Sequence, residues 1–208
     1  MIHLRLTPNK ATAIGAIIAT MTPFIMATGA YLPFGVIVFI VGFFDGVDGA
    51  IARISRTVTK WGGFLDSVLD RYGDSLILIS YLFLPVTAPL GETVVLAIQF
   101  RLWIYLSIVG SLMVSYTRAK GEAVGATHAD VGIAGRSERL LLLSLSAIMG
   151  ILNVWILIYG LVAVAILANF TAMYRIGRIT AFLKKEEGTP KIRAKISTSK
   201  RQTVKKLR

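Results

Sequence analysis

Residues 11–44 read ATAIGAIIATMTPFIMATGAYLPFGVIVFIVGFF, and no charged side chain stands between Lys10 and Asp45. A helix needs about 20 apolar residues to cross the hydrocarbon core of a bilayer. The run is too long for one crossing, and Pro23 together with the stretch from Gly29 to Pro33 divides it in two. The first helix is expected from Pro8 to Thr28 and the second from Pro33 to Ser55. A third segment runs from Gly62 through Ser75 and Leu84 to the breaker at Pro85 and Pro89. A fourth runs from Thr93 to Tyr116 and tolerates Arg101 near its start. Leu140 to Tyr174 is again uncharged, and the turn from Gly150 to Asn153 splits it into a fifth and a sixth helix. The expected fold is all-α, a membrane bundle of six transmembrane helices over residues 1–183. The first apolar stretch is long and lacks a small-residue cleavage site, so no cleavable signal peptide is expected.

Composition supports this reading. Of 208 residues, 55% are hydrophobic and 16% charged, with a mean hydropathy of +0.69. Soluble domains carry about 25% charge, so a disordered chain is excluded and a soluble enzyme is disfavoured. The absence of cysteine removes disulfides, thiol nucleophiles, zinc–thiolate sites and iron–sulfur clusters. With His3 and His128 the only histidines, a histidine-rich metal site is excluded too. Any chemistry must run on carboxylates, hydroxyls, arginine and lysine.

The charges are asymmetric, with a net value of +12. Arg5 and Lys10 precede the first helix. Arg53, Arg56 and Lys60 lie in the second connection, Arg118, Lys120, Arg136 and Arg139 around the fourth, and Arg175 and Arg178 after the sixth span. The odd-numbered connections carry none, and Arg101 is the one exception near that side. Lysine and arginine accumulate on the cytoplasmic side of membrane proteins, so both termini and the even-numbered loops are expected there. Residues 184–208 hold ten basic and two acidic side chains. They read as a disordered cytoplasmic tail near anionic headgroups, where each basic residue contributes about 1 kcal/mol. A topology anchor is the plainer alternative, and nucleic acid is not an expected partner.

Five of the eleven carboxylates fall between Asp45 and Asp74. Asp45 and Asp48 are three apart, and Asp66, Asp70 and Asp74 are successively four apart, so each set shares one helix face. A carboxylate in a membrane helix costs about 2.5–3.5 kcal/mol even on the lenient insertion scale. Three readings of the acids stand open. They form an ion network with Arg53, Arg56, Lys60 and Arg71, they line a cation path in a transporter, or they hold a divalent metal. Oxygen ligands without histidine or cysteine suit Mg²⁺ or Mn²⁺. Gly49, Ala50, Ala52, Gly62 and Gly63 sit beside these acids and permit close helix approach.

Taken in order, the residues are Asp45-x-x-Asp48-Gly49-x-x-Ala52-Arg53, eight residues, then Gly62-x-x-x-Asp66-x-x-x-Asp70. This pattern resembles the signature of the CDP-alcohol phosphotransferases (CDP-alcohol phosphatidyltransferases), membrane enzymes of phospholipid synthesis. The resemblance implies a six-helix bundle, a homodimer, and an active site open to the cytoplasm. It implies that Asp45, Asp48, Asp66 and Asp70 hold two divalent cations, Mg²⁺ or Mn²⁺, against the pyrophosphate of a CDP-lipid, either CDP-diacylglycerol or CDP-archaeol. Gly49, Ala52 and Gly62 would leave room for the nucleotide, and Arg53 would support it. Asp70 would be the catalytic base that takes a proton from the acceptor hydroxyl as CMP leaves. Pro8 and Asn9 form a helix start on their own reading, and similar openings in the family imply a contact to the cytidine.

A second stretch, Ser115-Tyr116-Thr117-Arg118-Ala119-Lys120-Gly121-Glu122-Ala123 followed by Gly135-Arg136-Ser137-Glu138-Arg139, is similar to the inositol-phosphate-using branch, the phosphatidylinositol-phosphate and archaetidylinositol-phosphate synthases. Arginine forks match phosphate oxygens, so Arg118, Lys120, Arg136, Arg139 and Arg175 are the expected acceptor-phosphate residues, with inositol phosphate as acceptor. Glycerol 3-phosphate, as in a phosphatidylglycerophosphate synthase, is the nearest alternative. Ser137 is expected to begin the helix that Arg136 precedes, with Glu138 complementing its dipole.

Overall fold

The computed structural model describes residues 8–55, 59–85, 94–126 and 134–188, with side chains placed over 14–43, 59–85, 99–126 and 134–187. Six α-helices follow one another: α1 (Pro8–Ala27), α2 (Tyr31–Ser55), α3 (Lys60–Ile79), α4 (Val94–Ala123), α5 (Arg136–Met149) and α6 (Val154–Gly188), with a 3₁₀ turn at Ser80–Phe83 closing α3. No strand occurs among the described residues. Two described segments, Gln99–Ala123 and Val154–Glu187, are long and apolar enough to cross a membrane, and Ile14–Ala27 and Tyr31–Phe43 are shorter apolar helices.

Pro23 does not divide the first apolar run, because α1 passes through it. Proline has no N–H for the carbonyl four residues back, which here belongs to Ala19. The Thr22 hydroxyl donates to that same carbonyl at 2.7 Å and so replaces the missing donor. The break comes at Gly29, whose φ of 71° is the left-handed conformation that ends helices at low cost in glycine. The Thr28 and Gly29 N–H groups donate back to the Ile25 and Met26 carbonyls. At the far end of the chain Asn153 opens α6 by accepting the Trp155 N–H on its side-chain oxygen at 3.0 Å, a side-chain N-cap. α4 runs past Tyr116 to Ala123. α6 runs past Tyr174 to Gly188, so it carries the first residues of the basic segment, and residues 189–208 lie outside the described ones.

α4 packs chiefly on α6, α2 on α5 and α1, α3 on α1, and α5 also on α6. The centre is filled by Met26, Phe34, Val38, Ile77, Tyr81, Ile104, Leu143, Leu157 and Leu161, with Phe34 and Tyr81 edge to face at 5.7 Å. Outside this core the polarity is inverted. Phe24, Phe64 and Leu152 point outward, while Thr22, Ser80, Ser107, Ser144, Arg139 and Arg175 are buried. An outer surface so rich in large apolar side chains needs a nonaqueous neighbour. Interior hydroxyls are satisfied mainly along or between helices: Ser80 donates to the Thr22 hydroxyl at 2.9 Å, and Ser144 to the Gly35 carbonyl at 2.8 Å.

Candidate active site

The site is built on one face of α3. Thr59 begins that helix, its hydroxyl accepting the Gly62 N–H at 3.2 Å. Thr59 is therefore an N-cap in the usual sense. Four-residue spacing then places Asp66, Asp70 and Asp74 in one column, all half-buried, while Trp61, Phe64 and Tyr72 occupy the opposite, exposed face. Gly62, buried in the first turn, offers no side chain above this column.

Among the described residues, the counter-charges do not come from the neighbouring stretch of chain. Arg71 turns onto its own helix and donates to the Ser67 carbonyl, and Lys60 is exposed. They come from the start of α5, more than sixty residues away. Arg136 places Nη1 3.0 Å from Asp70 Oδ1 and Nε 3.0 Å from Asp74 Oδ1. Arg139 Nη2 stands 3.8 Å from Asp74 Oδ2. These side chains are well enclosed, Arg136 being 19% exposed, Asp70 18%, Asp74 13% and Arg139 only 4%. Buried ions are retained only when paired, and the pairing is shared among all four.

α5 starts differently from the sequence-based expectation. Its N-cap is Gly135, with no side-chain capping bond, and Ser137 already lies inside the helix. Glu138 folds back so that its Oε2 is 2.6 Å from the place a Cβ on residue 135 would occupy. A side chain at 135 would push the Glu138 carboxylate aside. Two arginines in the first turn of a helix oppose its dipole and each other. Asp74 offsets both. It belongs to the acidic column seen in the sequence, yet no site role attaches to it there. Its signal is the arginine pair, which only the tertiary fold brings near.

Arg175, 5% exposed, donates from Nη1 to the Val114 carbonyl at 2.7 Å and so is fixed between α6 and α4. Arg139 feels the charges of Asp74, Arg136, Arg175 and Glu138. Arg118 pairs instead with Glu122 of its own helix at 2.9 Å, both more than half exposed, and Lys120 is exposed on the same end of α4. The fold thus gathers Asp70, Asp74, Arg136 and Arg139, with Arg175 within electrostatic reach. Arg118 and Lys120 have no described ion pair with that group.

Asp45 and Asp48 stand in α2, but their side chains lie outside the described residues, as do those of Pro8, Asn9, Gly49, Ala52 and Arg53. Among the described residues no three carboxylates or histidines converge to hold a metal alone. The donors that are described, Asp66 and Asp70, are one turn apart and offer oxygen only. Such donors fit a hard divalent cation and not zinc.

Comparison with known proteins places the chain in a family. The chain matches the model of the CDP-alcohol phosphatidyltransferase family over residues 5–173. It is 33% identical to the archaetidylinositol phosphate synthase of Pyrococcus horikoshii over 83% of each chain. It is 37% identical to the phosphatidylinositol phosphate synthase of Cutibacterium acnes over 68% of this chain and 65% of that one. The fold is similar to the crystal structure of Mycobacterium tuberculosis phosphatidylinositol phosphate synthase with CDP-DAG bound, with a TM-score of 0.71 and 23% identity over 86% of this chain and 88% of that one. The same mycobacterial protein has been solved with manganese and citrate. By sequence over most of its length this chain belongs to the CDP-alcohol phosphatidyltransferase family, and it is a transferase of phospholipid synthesis.

Proposed function

We propose that this enzyme transfers the lipid-linked phosphoryl group of a CDP-lipid to a hydroxyl of inositol phosphate and releases CMP. The observation that carries the acceptor assignment is the enclosed arginine group beside Asp70. Arg136, Arg139 and Arg175 bring three positive charges against Asp70 and Asp74, in a region where an unpaired cation is costly. A phosphorylated acceptor brings net negative charge to these arginines, whereas free inositol and zwitterionic serine bring none. The inositol phosphate synthases among its relatives support the same choice.

In this reading Asp45, Asp48, Asp66 and Asp70 hold two Mg²⁺ or Mn²⁺ ions. When bound, these supply positive charge to the pyrophosphate and to the departing CMP. The protein's own groups do the rest. Gly49, Ala52 and Gly62 leave space for the nucleotide, Arg53 supports its phosphates, and Pro8 and Asn9 meet the cytidine from the start of α1. Asp70 takes the proton of the acceptor hydroxyl, whose oxygen forms a bond to the lipid-side phosphorus. The phosphoanhydride bond then breaks, and its electrons leave with CMP. Arg136, Arg139 and Arg175 orient the acceptor phosphate, and Arg118 and Lys120 draw it to the mouth of the site. The work is mainly positioning and charge stabilisation.

The topology belongs to the same proposal: six membrane spans, both termini in the cytoplasm, the site open on that side, a basic tail from residue 184, and a homodimer in the cell membrane. Purified protein in detergent, given CDP-diacylglycerol and Mg²⁺, is expected to release CMP with inositol 1-phosphate. It should do so poorly with glycerol 3-phosphate, and not with inositol or serine. Asp70→Asn serves as the blank. Turnover with glycerol 3-phosphate alone would overturn the acceptor assignment. Ion-coupled flux in proteoliposomes without CMP release would overturn the reaction.

A further inference from the structure

Asp74 lies one turn beyond the last acid of the signature, and the signature assigns it nothing. We propose that Asp74 is a positioning residue that holds Arg136 and Arg139 together as a phosphate clamp. Arg136 stays anchored to it while exchanging Asp70 for the acceptor's phosphate. The inference rests on the functional reading above and deepens it.

Three observations carry it. First, Arg136 meets the two acids unequally: Nε donates a hydrogen bond to Asp74 at 3.0 Å, while Nη1 lies 3.0 Å from Asp70 as an ion pair without hydrogen-bond geometry. Releasing the Asp70 contact leaves the Asp74 hydrogen bond to hold the guanidinium. Second, Asp74 uses both oxygens, Oδ1 for Arg136 and Oδ2 for Arg139 at 3.8 Å. It therefore sets the spacing between the two arginines. Third, Arg139 is 4% exposed, and its Nη1 has no hydrogen-bond partner among the described residues. A buried guanidinium donor without an acceptor is costly and marks where an anionic oxygen is missing.

The surroundings favour exchange over a fixed brace. α3 packs on α1 and α4, and α5 on α2 and α6, and neither packs extensively on the other. The ion pairs therefore join two helices that each pack mainly on other neighbours. When a cation takes over the charge of Asp70, one acid fewer faces Arg136, Arg139 and Arg175, with Asp74 and Glu138 the described acids that remain. The clamp then carries a net positive charge at the N-terminus of α5, where a helix already attracts anions. Filling the cation site and binding the acceptor phosphate thereby become linked.

The test uses the full chain in detergent, wild type beside Asp74→Asn, Asp74→Glu and Asp66→Asn. Mn²⁺ binding is read from the electron paramagnetic resonance signal of the free ion. KM and kcat are read from CMP release. Loss of a charge-assisted bond predicts a rise of about ten- to hundredfold in the KM for inositol 1-phosphate in Asp74→Asn. The KM for CDP-diacylglycerol and the Mn²⁺ affinity should remain within about twofold of wild type. Asp74→Glu, which keeps the charge, should recover part of the loss, and it carries the test alone if Asp74→Asn does not run as a single species on gel filtration. An unchanged acceptor KM, with or without a lower melting temperature, would show a mere brace and overturn the proposal. A loss of Mn²⁺ binding equal to that of Asp66→Asn would make Asp74 a metal ligand and overturn it too. Failure of wild type to use any phosphorylated acceptor would instead sink the functional reading on which the clamp rests.

Discussion

The α4–α6 pair and the α3–α5 pair solve the same problem, holding two helices together in an apolar bundle, by opposite means. Between α4 and α6 the backbones approach closely. A Cβ on Gly110 would lie 2.6 Å from Asn169 Nδ2 and 3.0 Å from Ala168 Cβ, so a larger residue there displaces the Asn169 amide and crowds α6. Asn169 Nδ2 donates to the Leu106 and Ala165 carbonyls, each at 2.8 Å, and Val114, Ala168 and Ala172 fill the remainder. Small residues and interhelical amide bonds are the ordinary adhesive of membrane helices. Between α3 and α5 there is little packing, and Asp70, Asp74, Arg136 and Arg139 bridge the space. Ion pairs of this kind add little net stability, since desolvation offsets attraction. The first contact is a joint, and the second, in the proposed reading, is a set of charges that receives a ligand.

If that contrast is right, substitutions in the two regions separate into losses of activity and losses of stability. The largest effect is expected from Asp70→Asn, with CMP release falling by about a hundred- to ten-thousandfold, the range of a lost general base, while gel filtration and melting stay close to wild type. Arg139→Gln should raise the KM for inositol 1-phosphate by about tenfold or more. A collapse in expression without that change in KM would move Arg139 to the structural side. Gly110→Val should do the reverse, costing about 1–3 kcal/mol through overpacking. It should lower the melting temperature in detergent with turnover per folded molecule retained. Thr171→Val should have the smallest effect, because the Thr171 hydroxyl is buried and without a partner among the described residues. An equal or slightly higher melting temperature is expected, and a clear drop would reveal a partner for that hydroxyl.

The bundle was legible from charge-free runs because exclusion of charge is a composition property, readable without the fold. The acidic column was legible because Asp66, Asp70 and Asp74 are local neighbours on a helix. What was not legible is what pairs with it. Arg71 is near in sequence and turns away onto Ser67. Arg136 is distant and reaches Asp70 and Asp74. Pro23 misleads for a related reason: the residue that rescues the helix is its neighbour Thr22, through a hydroxyl geometry that a list of breakers does not contain. The start of α5 shifts to Gly135, whose cap carries no side-chain bond, so the Ser137 signal in the sequence is not used.

The length of α6 has a mechanical consequence. Its 35 residues span about 52 Å at 1.5 Å per residue, against a hydrocarbon core of about 30 Å. The uncharged part, from Val154 to Tyr174, matches that thickness, so in the proposed topology a helix standing along the membrane normal would project about 20 Å beyond it as a rigid spar. Headgroups fill only about 6 Å of this. The spar therefore carries Gly188 more than a Debye length of about 8 Å clear of the lipid charge. A fluorescence-transfer distance from residue 188 to labelled headgroups would expose a spar that lies flat instead.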